Sequence, residues 1–581
     1  MGILAGSGLV LVTWVLVGLG IVSFGLLPAS LVSPAAGRSG LLRRALWWGL
    51  LIAAIEVCAI SLLFPLHSSS SAVILICSVL VLGVPGWIRW SKAGSTGTKL
   101  TRAQWLVVAT FGLSQVYLAV AALGPVTGYD SGLYHLGAIK YASEFGIVPG
   151  LANLYGPLAY ATAEFPMAAV LGNGPWGGDG FRLLNGLILG LVAIDLVLRT
   201  LVRRVSPGYY VLLAGMVATW VPMVALSDFW VTSPSQDSAV LALTVVCTAY
   251  VTDACLGRKF VSNSAVAVAI GIALVLIRST MAVYVIALLL VLAVLFVRRR
   301  RQYSIRRSGY AGLLLAGITV LAALTMTMRD YLLSGWLQYP LSTHPFDVPW
   351  RAPDPEGLRL ATLGFARDPA HTWDSVTGWG WVGSWVSRLP HEWAFVEFCG
   401  VSLIALAIGV VAVRTGANMR QWRPIALATF PSAVAVLVWW VASPPAFRFA
   451  WGPLFTLATV PLGGALWLLT RDEELSNGRA KLLLVCAAVP VLAVTMYSGV
   501  ARLDLSAINA EREWNVAGLR IPYAVAPVIN VPVQKTTLES GLVLVGPTES
   551  DQCWDHYPLC TPQPLLSLRL RADSLAGGFL P

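Results

Sequence analysis

Asp130 stands directly after a long hydrophobic stretch, in a polar segment that begins Gly-Pro-Val-Thr-Gly-Tyr-Asp-Ser-Gly-Leu-Tyr-His. A carboxylate within hydrogen-bond reach of a hydroxyl group can act as a general base and take its proton as the oxygen attacks an electrophile. An acidic residue in this setting, among glycines and aromatic side chains, predicts an active site at a membrane surface. The alternative is that Asp130 only caps a helix that begins at Ser131, a common role of aspartate.

Basic side chains near the same predicted surface are suited to bind a phosphate. The candidates are Lys140, Arg182, Arg278 and Arg448. A departing lipid phosphate gains negative charge in the transition state, and cations in the plane of the headgroups would stabilise it. Arg278 and Arg448 have the greatest weight because each lies at the mouth of an apolar span, where an unpaired charge is costly. The alternative for both is that they extend to lipid headgroups.

Other polar residues of these segments have two interpretations each. Asp237, in the sequence Ser-Pro-Ser-Gln-Asp at the start of a span, either caps that span or binds an acceptor or orients a cation. His135 is expected to pack or to form hydrogen bonds rather than to serve as a second acid or base. Glu144 and Glu164 are expected to be solvated.

The elements that must hold these residues are membrane-spanning helices. Of the 581 residues, 57% are hydrophobic and 12% are charged, and the mean hydropathy is +0.74. A soluble protein could not bury that much apolar surface. Apolar runs of about 20 residues, the length that crosses a bilayer core, recur about fourteen times. We predict spans at approximately 5–28, 44–65, 71–89, 103–123, 181–200, 208–227, 238–256, 262–278, 280–297, 310–328, 393–413, 424–442, 446–470 and 479–499.

Alternate short connections between these spans are rich in Lys and Arg, as in residues 298–307. Cytoplasmic loops retain basic residues, so these connections are predicted to lie inside. The net charge of +11 then describes a cytoplasmic rim that faces anionic lipid, and no nucleic-acid partner is implied. Both termini, and the polar segments 124–180, 329–392 and 500–581, are predicted to lie outside the bacterial cytoplasmic membrane.

Two of the eight cysteines differ from the rest. Six lie within or at the ends of apolar spans, where a thiol behaves as a small hydrophobic group. Cys553 and Cys560 lie in the predicted external tail, where disulfides persist, so we predict that they are joined. A zinc site with His556 is the alternative, but two thiols and one imidazole lack a fourth ligand.

The segment 329–392 is rich in tryptophan, which suits both a headgroup boundary and stacking against sugar rings.

Within 124–180, residues 136–145 and 157–171 are predicted to form two short helices on the membrane surface, separated by a turn at 148–155. These helices would lie beneath Asp130. The predicted division of the chain is 1–102 for accessory spans, 103–330 for a membrane core with the external loop 124–180, 331–392 for the tryptophan-rich loop, 393–499 for further spans and 500–581 for the tail.

These features resemble a known family. An acidic residue after a core helix, two surface helices with a turn between them, and residues 181–185 (Phe-Arg-Leu-Leu-Asn) at the next span resemble the first external loop of type-C glycosyltransferases. Asp237 lies in a second external loop at the start of a span, and Arg278 lies near the external end of the next span. They resemble the acidic residue and the following base that the family often has there. The resemblance covers roughly residues 103–330. It implies a type-C-like all-α membrane fold with Asp130 as the catalytic residue and a polyprenyl-phosphate sugar as donor.

The chain also resembles a group of predicted bacterial integral membrane proteins. The shared pieces are residues 130–135, 329–335 with Tyr339-Pro340, 347–350, 448–449 and the 553–560 tail. Tyr134, His135 and Arg329, which lie in these pieces, are also predicted to bind the substrate.

The resulting hypothesis is a membrane glycosyltransferase that transfers a sugar to a cell-envelope glycan, lipid or protein on the outer face of the membrane. With one visible carboxylate, inversion by direct displacement is the simpler mechanism. Some type-C enzymes use a divalent ion, but no Asp-x-Asp pair accompanies Asp130, and hard cations prefer several oxygen ligands, so no metal or other cofactor is predicted. The alternatives are a lipid-glycan transporter or flippase and a non-catalytic protein of envelope assembly.

Overall fold

The computed structural model describes residues 2–94, 102–200, 206–302, 305–417, 419–471, 497–516 and 518–581. Long helices dominate this part of the chain. They are α1 (Gly2–Val32), α2 (Arg38–Ser61), α3 (Ser69–Ser91), α4 (Arg102–Ala121), α8 (Leu184–Thr200), α9 (Pro207–Ala225), α11 (Gln236–Cys255), α12 (Phe260–Ile277), α13 (Ala282–Arg299), α14 (Ile305–Ser334), α17 (Trp393–Arg414), α18 (Met419–Ala442) and α19 (Trp451–Arg471). Shorter helices lie between them, namely α5 (Leu136–Glu144), α6 (Leu151–Leu154), α7 (Glu164–Leu171), α10 (Ser227–Trp230), α15 (Pro355–Arg367) and α16 (Val382–Arg388).

Twelve helices in the described residues are long and apolar enough to cross a membrane. The prediction of a polytopic, mainly helical membrane protein is therefore confirmed, whereas the predicted count of spans is not reproduced. The apolar part of α4 covers only Trp105–Ala121, so it is shorter than the other candidate spans. The predicted span at 479–499 lies largely outside the described residues.

Close packing of helices depends on glycine where α1 crosses α2. A Cβ atom on Gly25 would lie 1.9 Å from the carbonyl oxygen of Ala45, and one on Gly49 would lie 1.7 Å from that of Ile21. Small residues let two helix backbones approach in this way.

Near the centre of the bundle, the apolar stretch of α11 is completely buried. It contacts α9, α12 and α19.

A buried ion cluster ties three parts of the bundle together. Arg199 donates from Nε to Asp195 at 2.6 Å and from Nη1 to Asp253 at 3.0 Å. Trp47 and Tyr250 also donate to Asp195, at 2.5 and 2.9 Å. Every charge in this cluster has a partner, as a buried charge requires.

The three polar segments predicted to share one side of the membrane contact one another. Asn153 of the first segment donates to the carbonyl oxygen of Trp350 in the second at 2.9 Å. The amide of Phe579 in the tail donates to Pro149 at 2.9 Å, and Arg571 lies over the ring of Trp350. The parts of the three segments that carry these residues therefore lie together in the fold.

The tail adds strands that the all-α prediction did not include. It forms three two-stranded antiparallel sheets: β1 (Ala510–Val516) with β2 (Leu519–Val525), β3 (Val533–Thr537) with β4 (Val543–Pro547), and β5 (Arg569–Leu570) with β6 (Phe579–Leu580). The predicted disulfide between Cys553 and Cys560 is present. Both sulfur atoms are used in the disulfide, and Nε2 of His556 lies 2.8 Å from the carbonyl oxygen of Val531, so the alternative of a zinc site is not supported.

The loop 124–180 differs from its prediction in three ways. The predicted turn contains the one-turn helix α6, and the predicted second helix is broken between a 3₁₀ turn at Gly156–Ala159 and α7. The chain before α7 is instead bound to the end of α12, because the amide of Ala163 donates to Leu276 and Thr162 donates to Ile277. Finally, α7 is almost wholly buried rather than lying on a surface.

Candidate functional site

Asp130 occupies the residue before a π-helix, Ser131–His135. In this helix the amide of Leu136 donates to the carbonyl oxygen of Ser131, five residues back. π-helical turns are rare in proteins, and those that occur are often found at functional sites. The Asp130 side chain makes no capping bond to the helix. Its Oδ2 atom accepts a hydrogen bond from Nη1 of Arg448 at 2.6 Å instead, so the structure assigns the carboxylate to an ion pair rather than to a cap.

Arg448 reaches this carboxylate from the other half of the chain. It lies in a 3₁₀ turn, Phe447–Ala450, immediately before α19, and its guanidinium is 5.1 Å from the centre of the Phe449 ring. The side chains of Arg448 and Asp130 are 38% and 19% exposed. The pair is therefore accessible to a ligand, whereas the Arg199 cluster is sealed.

A second ion pair lies beside the first. Arg278 donates from Nη2 to Oδ1 of Asp237, and its Nη1 atom lies 3.3 Å from the carbonyl oxygen of Arg448. Ser235 is the residue that caps α11, since its hydroxyl accepts from the amide of Asp237. Asp237 is thus held by Arg278, and this arginine also supports the turn that carries Arg448.

His135 and Tyr134 form the inner wall behind Asp130. The His135 ring is buried 5.3 Å from Phe165, and the Tyr134 ring is 5.6 Å from that of Tyr160. Burial lowers the pKa of the His135 imidazole to about 4, although the nearby Asp130 and Asp237 carboxylates oppose the shift. The imidazole is consequently neutral at pH 7, which suits packing better than proton donation.

Glu164 is a buried member of the cluster, and the expectation that it is solvated was wrong. Its side chain is fully buried at the start of α7, and neither carboxyl oxygen has a hydrogen-bond partner among the described residues. Burial raises its pKa to about 8, a shift that Arg278 reduces and Asp237 increases. The signal available in the sequence was a lone acid within the apolar stretch 157–171.

This buried acid should make stability depend on pH. Folding raises the pKa of Glu164 from 4.5 to about 8, so its stabilising contribution is complete below about 4.5 and is lost as the pH rises through about 8. We expect Glu164→Gln to flatten the fall in melting temperature over this interval. Glu144→Gln, at an exposed glutamate, is the control and should melt as the natural protein does. Equal pH slopes for Glu164→Gln and the natural protein would contradict the assignment.

Two cavities meet at Arg448. One, of about 240 Å³, is bounded by the rings of Phe365, Trp385 and Phe447 and by Arg388. The indole of Trp385 is stacked on Phe447 with centroids 5.6 Å apart and planes 10° apart. This first cavity is referred to below as the aromatic cavity.

The second cavity, of about 360 Å³, is lined by Thr127, Asp228 and Arg502 and also by aromatic rings, including that of Trp393. Glu392, Phe447 and Arg448 line both cavities. The cation paired with Asp130 therefore forms part of the wall between them.

Residues 8–455 match a protein family that is described as a domain of unknown function, DUF8201. The chain belongs to the DUF8201 family. No curated protein and no solved structure gives a match. The matched region of this DUF8201 protein contains both ion pairs, whereas the tail that carries Cys553 and Cys560 lies beyond it.

Three predicted ligand-binding residues of the DUF8201 protein lie away from Asp130. Lys140 pairs with Asp555 of the tail. Arg182 is buried and donates to the carbonyl oxygens of Gly124 and Ala526. Arg329 is also buried and donates to the hydroxyl of Ser61. The structure gives these cations partners within the protein and does not bring them to the cluster.

The cluster of this DUF8201 chain thus consists of Asp130, Tyr134, His135, Asp237, Arg278 and Arg448, with Glu164 added. In the part of the chain that the structure describes, no group of three or more His, Cys, Asp or Glu side chains is arranged to hold a metal ion. The chemistry that the cluster offers is an accessible carboxylate beside a guanidinium. Such a pair can accept a proton and bind an anion.

Proposed function

We propose that this protein is a membrane glycosyltransferase of type-C-like architecture that moves one sugar from a polyprenyl-phosphate donor to a cell-envelope acceptor. The observation that carries the proposal is the accessible ion pair between Asp130 and Arg448, whose arginine lines two adjoining cavities. A transferase must bring two ligands to one point in a reactive orientation. Two cavities that share a charged wall offer such an arrangement.

The proposed step is a direct displacement. The hydroxyl oxygen of the acceptor attacks the anomeric carbon of the donor sugar, and the bond from that carbon to the phosphate oxygen breaks. The lipid phosphate leaves with the bonding electrons, and the proton of the acceptor hydroxyl passes to the Asp130 carboxylate. One carboxylate is sufficient for this inverting route, in which it acts as a general base.

Arg448 connects the two halves of the step. Its side chain is 38% exposed and its Nη1 atom bonds Asp130 at 2.6 Å, so an entering phosphate can compete for the guanidinium. Movement of this hydrogen bond from Asp130 to the phosphate would free the carboxylate for the acceptor proton. The same guanidinium would then stabilise the charge that grows on the leaving phosphate.

The linings of the cavities suggest which ligand each one takes. The aromatic cavity suits the donor, because an exposed ring such as that of Phe365 can stack on a sugar and Arg388 adds positive charge. The second cavity suits the acceptor, because Thr127 and Asp228 can form hydrogen bonds with hydroxyl groups. The donor lipid and the acceptor would meet at Arg448 on the outer face of the membrane.

The test combines mass spectrometry of lipids that copurify with the protein and analysis of envelope glycans from a deletion strain. We expect a polyprenyl-phosphate sugar in the preparation and the loss of one sugar from the envelope. An unchanged envelope together with no bound lipid would overturn the proposal. Bound lipid without turnover across a panel of acceptors would also overturn it, in favour of a flippase or an envelope-assembly protein.

A further inference from the structure

Residues 551–560, here called the tail loop, lie against the segment that carries Asp130. The disulfide between Cys553 and Cys560 closes this loop, and both cysteines are buried. Its far side is attached to β4, where the amide of Val545 donates to Leu559 at 2.9 Å and the amide of Thr561 donates to Val545 at 3.0 Å. The tail loop is therefore held on both sides.

The tail loop donates hydrogen bonds to backbone carbonyl oxygens on both sides of Asp130. The side-chain amide of Gln552 donates to the carbonyl oxygen of Tyr129 at 2.8 Å. The backbone amide of Trp554 donates to the carbonyl oxygen of Gly132 at 2.9 Å. These two bonds fix the residue before Asp130 and the second residue after it.

The indole of Trp554 also fills the space beside Gly132. A Cβ atom on Gly132 would lie 2.4 Å from the indole ring, so a side chain at this position would displace the tryptophan. Trp554 itself is only 5% exposed. The π-helix is a rare form of backbone that occurs mostly as a single turn, and here the indole of Trp554 packs directly against it.

Further contacts join the tail loop to α5. Lys140 pairs with Asp555. The ring of Tyr141 lies 4.9 Å from that of Tyr557, and its hydroxyl donates to the carbonyl oxygen of Pro558. Both Lys140 and Tyr141 belong to α5, which directly continues the π-helix. The tail loop thus follows the whole helical segment behind Asp130.

We infer that Trp554 and Gln552 are positioning residues, which hold the main chain on both sides of Asp130 so that its carboxylate meets Arg448. The catalytic consequence of this inference rests on the proposed function, whereas the structural consequence does not. Misplacement of a reacting group by about 1 Å can cost roughly a hundredfold in rate. Tail residues more than 400 positions away in sequence therefore govern the geometry of the site.

Hydrogen exchange followed by mass spectrometry tests the positioning directly. In Trp554→Ala, peptides that cover residues 128–136 should exchange about tenfold faster, because the indole that packs against Gly132 is lost while the backbone amide of residue 554 remains. Trp514→Ala, at a half-buried tryptophan of β1, is the matched control and should leave these peptides unchanged. Equal exchange in the two variants would overturn the inference.

Kinetics supply the second measurement. Turnover in Trp554→Ala should fall about a hundredfold while donor affinity stays unchanged, and Trp554→Phe should restore much of it. If Trp554→Ala does not fold, Gln552→Ala takes its place in the exchange measurement. This variant removes only the side-chain hydrogen bond to Tyr129, and peptides that cover residues 128–136 should again exchange faster than in the natural protein. Unchanged exchange in that variant would contradict the inference. A natural protein without transferase activity would overturn the proposed function, and the exchange measurements would still decide the positioning role.

Discussion

Asp130→Asn should lower turnover by roughly 10²- to 10⁴-fold, the range that a general base contributes. Asparagine has the size of aspartate, and its amide oxygen can still accept the hydrogen bond from Arg448, but it cannot take up a proton at neutral pH. We therefore expect a folded protein that binds the donor lipid and does not transfer its sugar. Transfer from a polyprenyl-phosphate sugar, donor binding and melting temperature, measured on one preparation, would separate these effects.

Asp374→Asn is the matched control for this variant. Asp374 is an exposed aspartate of the tryptophan-rich segment, away from the ion pairs. The same chemical change there should leave turnover intact. Full activity of Asp130→Asn would remove Asp130 from its proposed role as the base.

Arg448→Gln should reduce turnover by about 10²- to 10³-fold, as the loss of one preorganised donor to a developing charge typically does. It should also weaken donor binding, because Arg448 lines both cavities and its guanidinium is the proposed phosphate ligand. A glutamine retains some length and polarity but has no charge. Titration with a polyprenyl phosphate that lacks a sugar would report this effect on binding apart from turnover.

Two further variants make the Arg448 result specific. Arg359→Gln removes a guanidinium that pairs with Glu356 outside the cluster, and it should be neutral. Arg448→Lys keeps the charge but loses the planar fork of donors, so it should recover only part of the binding. Natural affinity for the lipid phosphate in Arg448→Gln would refute the assignment of this residue.

The predicted spans and the position of Asp130 followed from local patterns. An apolar run of membrane-crossing length has few alternatives to a helix in lipid, because its backbone groups must bond within the segment. The disulfide was predictable because Cys553 and Cys560 are the two cysteines outside the apolar spans. Each inference needed only residues close together in sequence.

The partners of the charged residues were not predictable in this way. Arg448 and Asp130 are 318 positions apart, and no local pattern links them. Lys140, Arg182 and Arg329 carry the positive charge expected of phosphate ligands, but each pairs with or donates to another group of the protein. Glu164 is buried because α7 packs against α2, α5 and α8 instead of lying on a surface, and no local pattern shows this.

The sequence by itself determined that this is a helical membrane protein with long polar segments, in which an acidic residue follows a hydrophobic helix. Hydropathy and residue type decide those properties because they depend on the transfer of each segment from water to lipid. Only the tertiary structure decided that Asp130 faces Arg448, that Arg278 holds Asp237 and that Trp554 packs on Gly132. These contacts depend on the packing of distant segments, since a buried charge or indole takes the partner that the fold brings within reach.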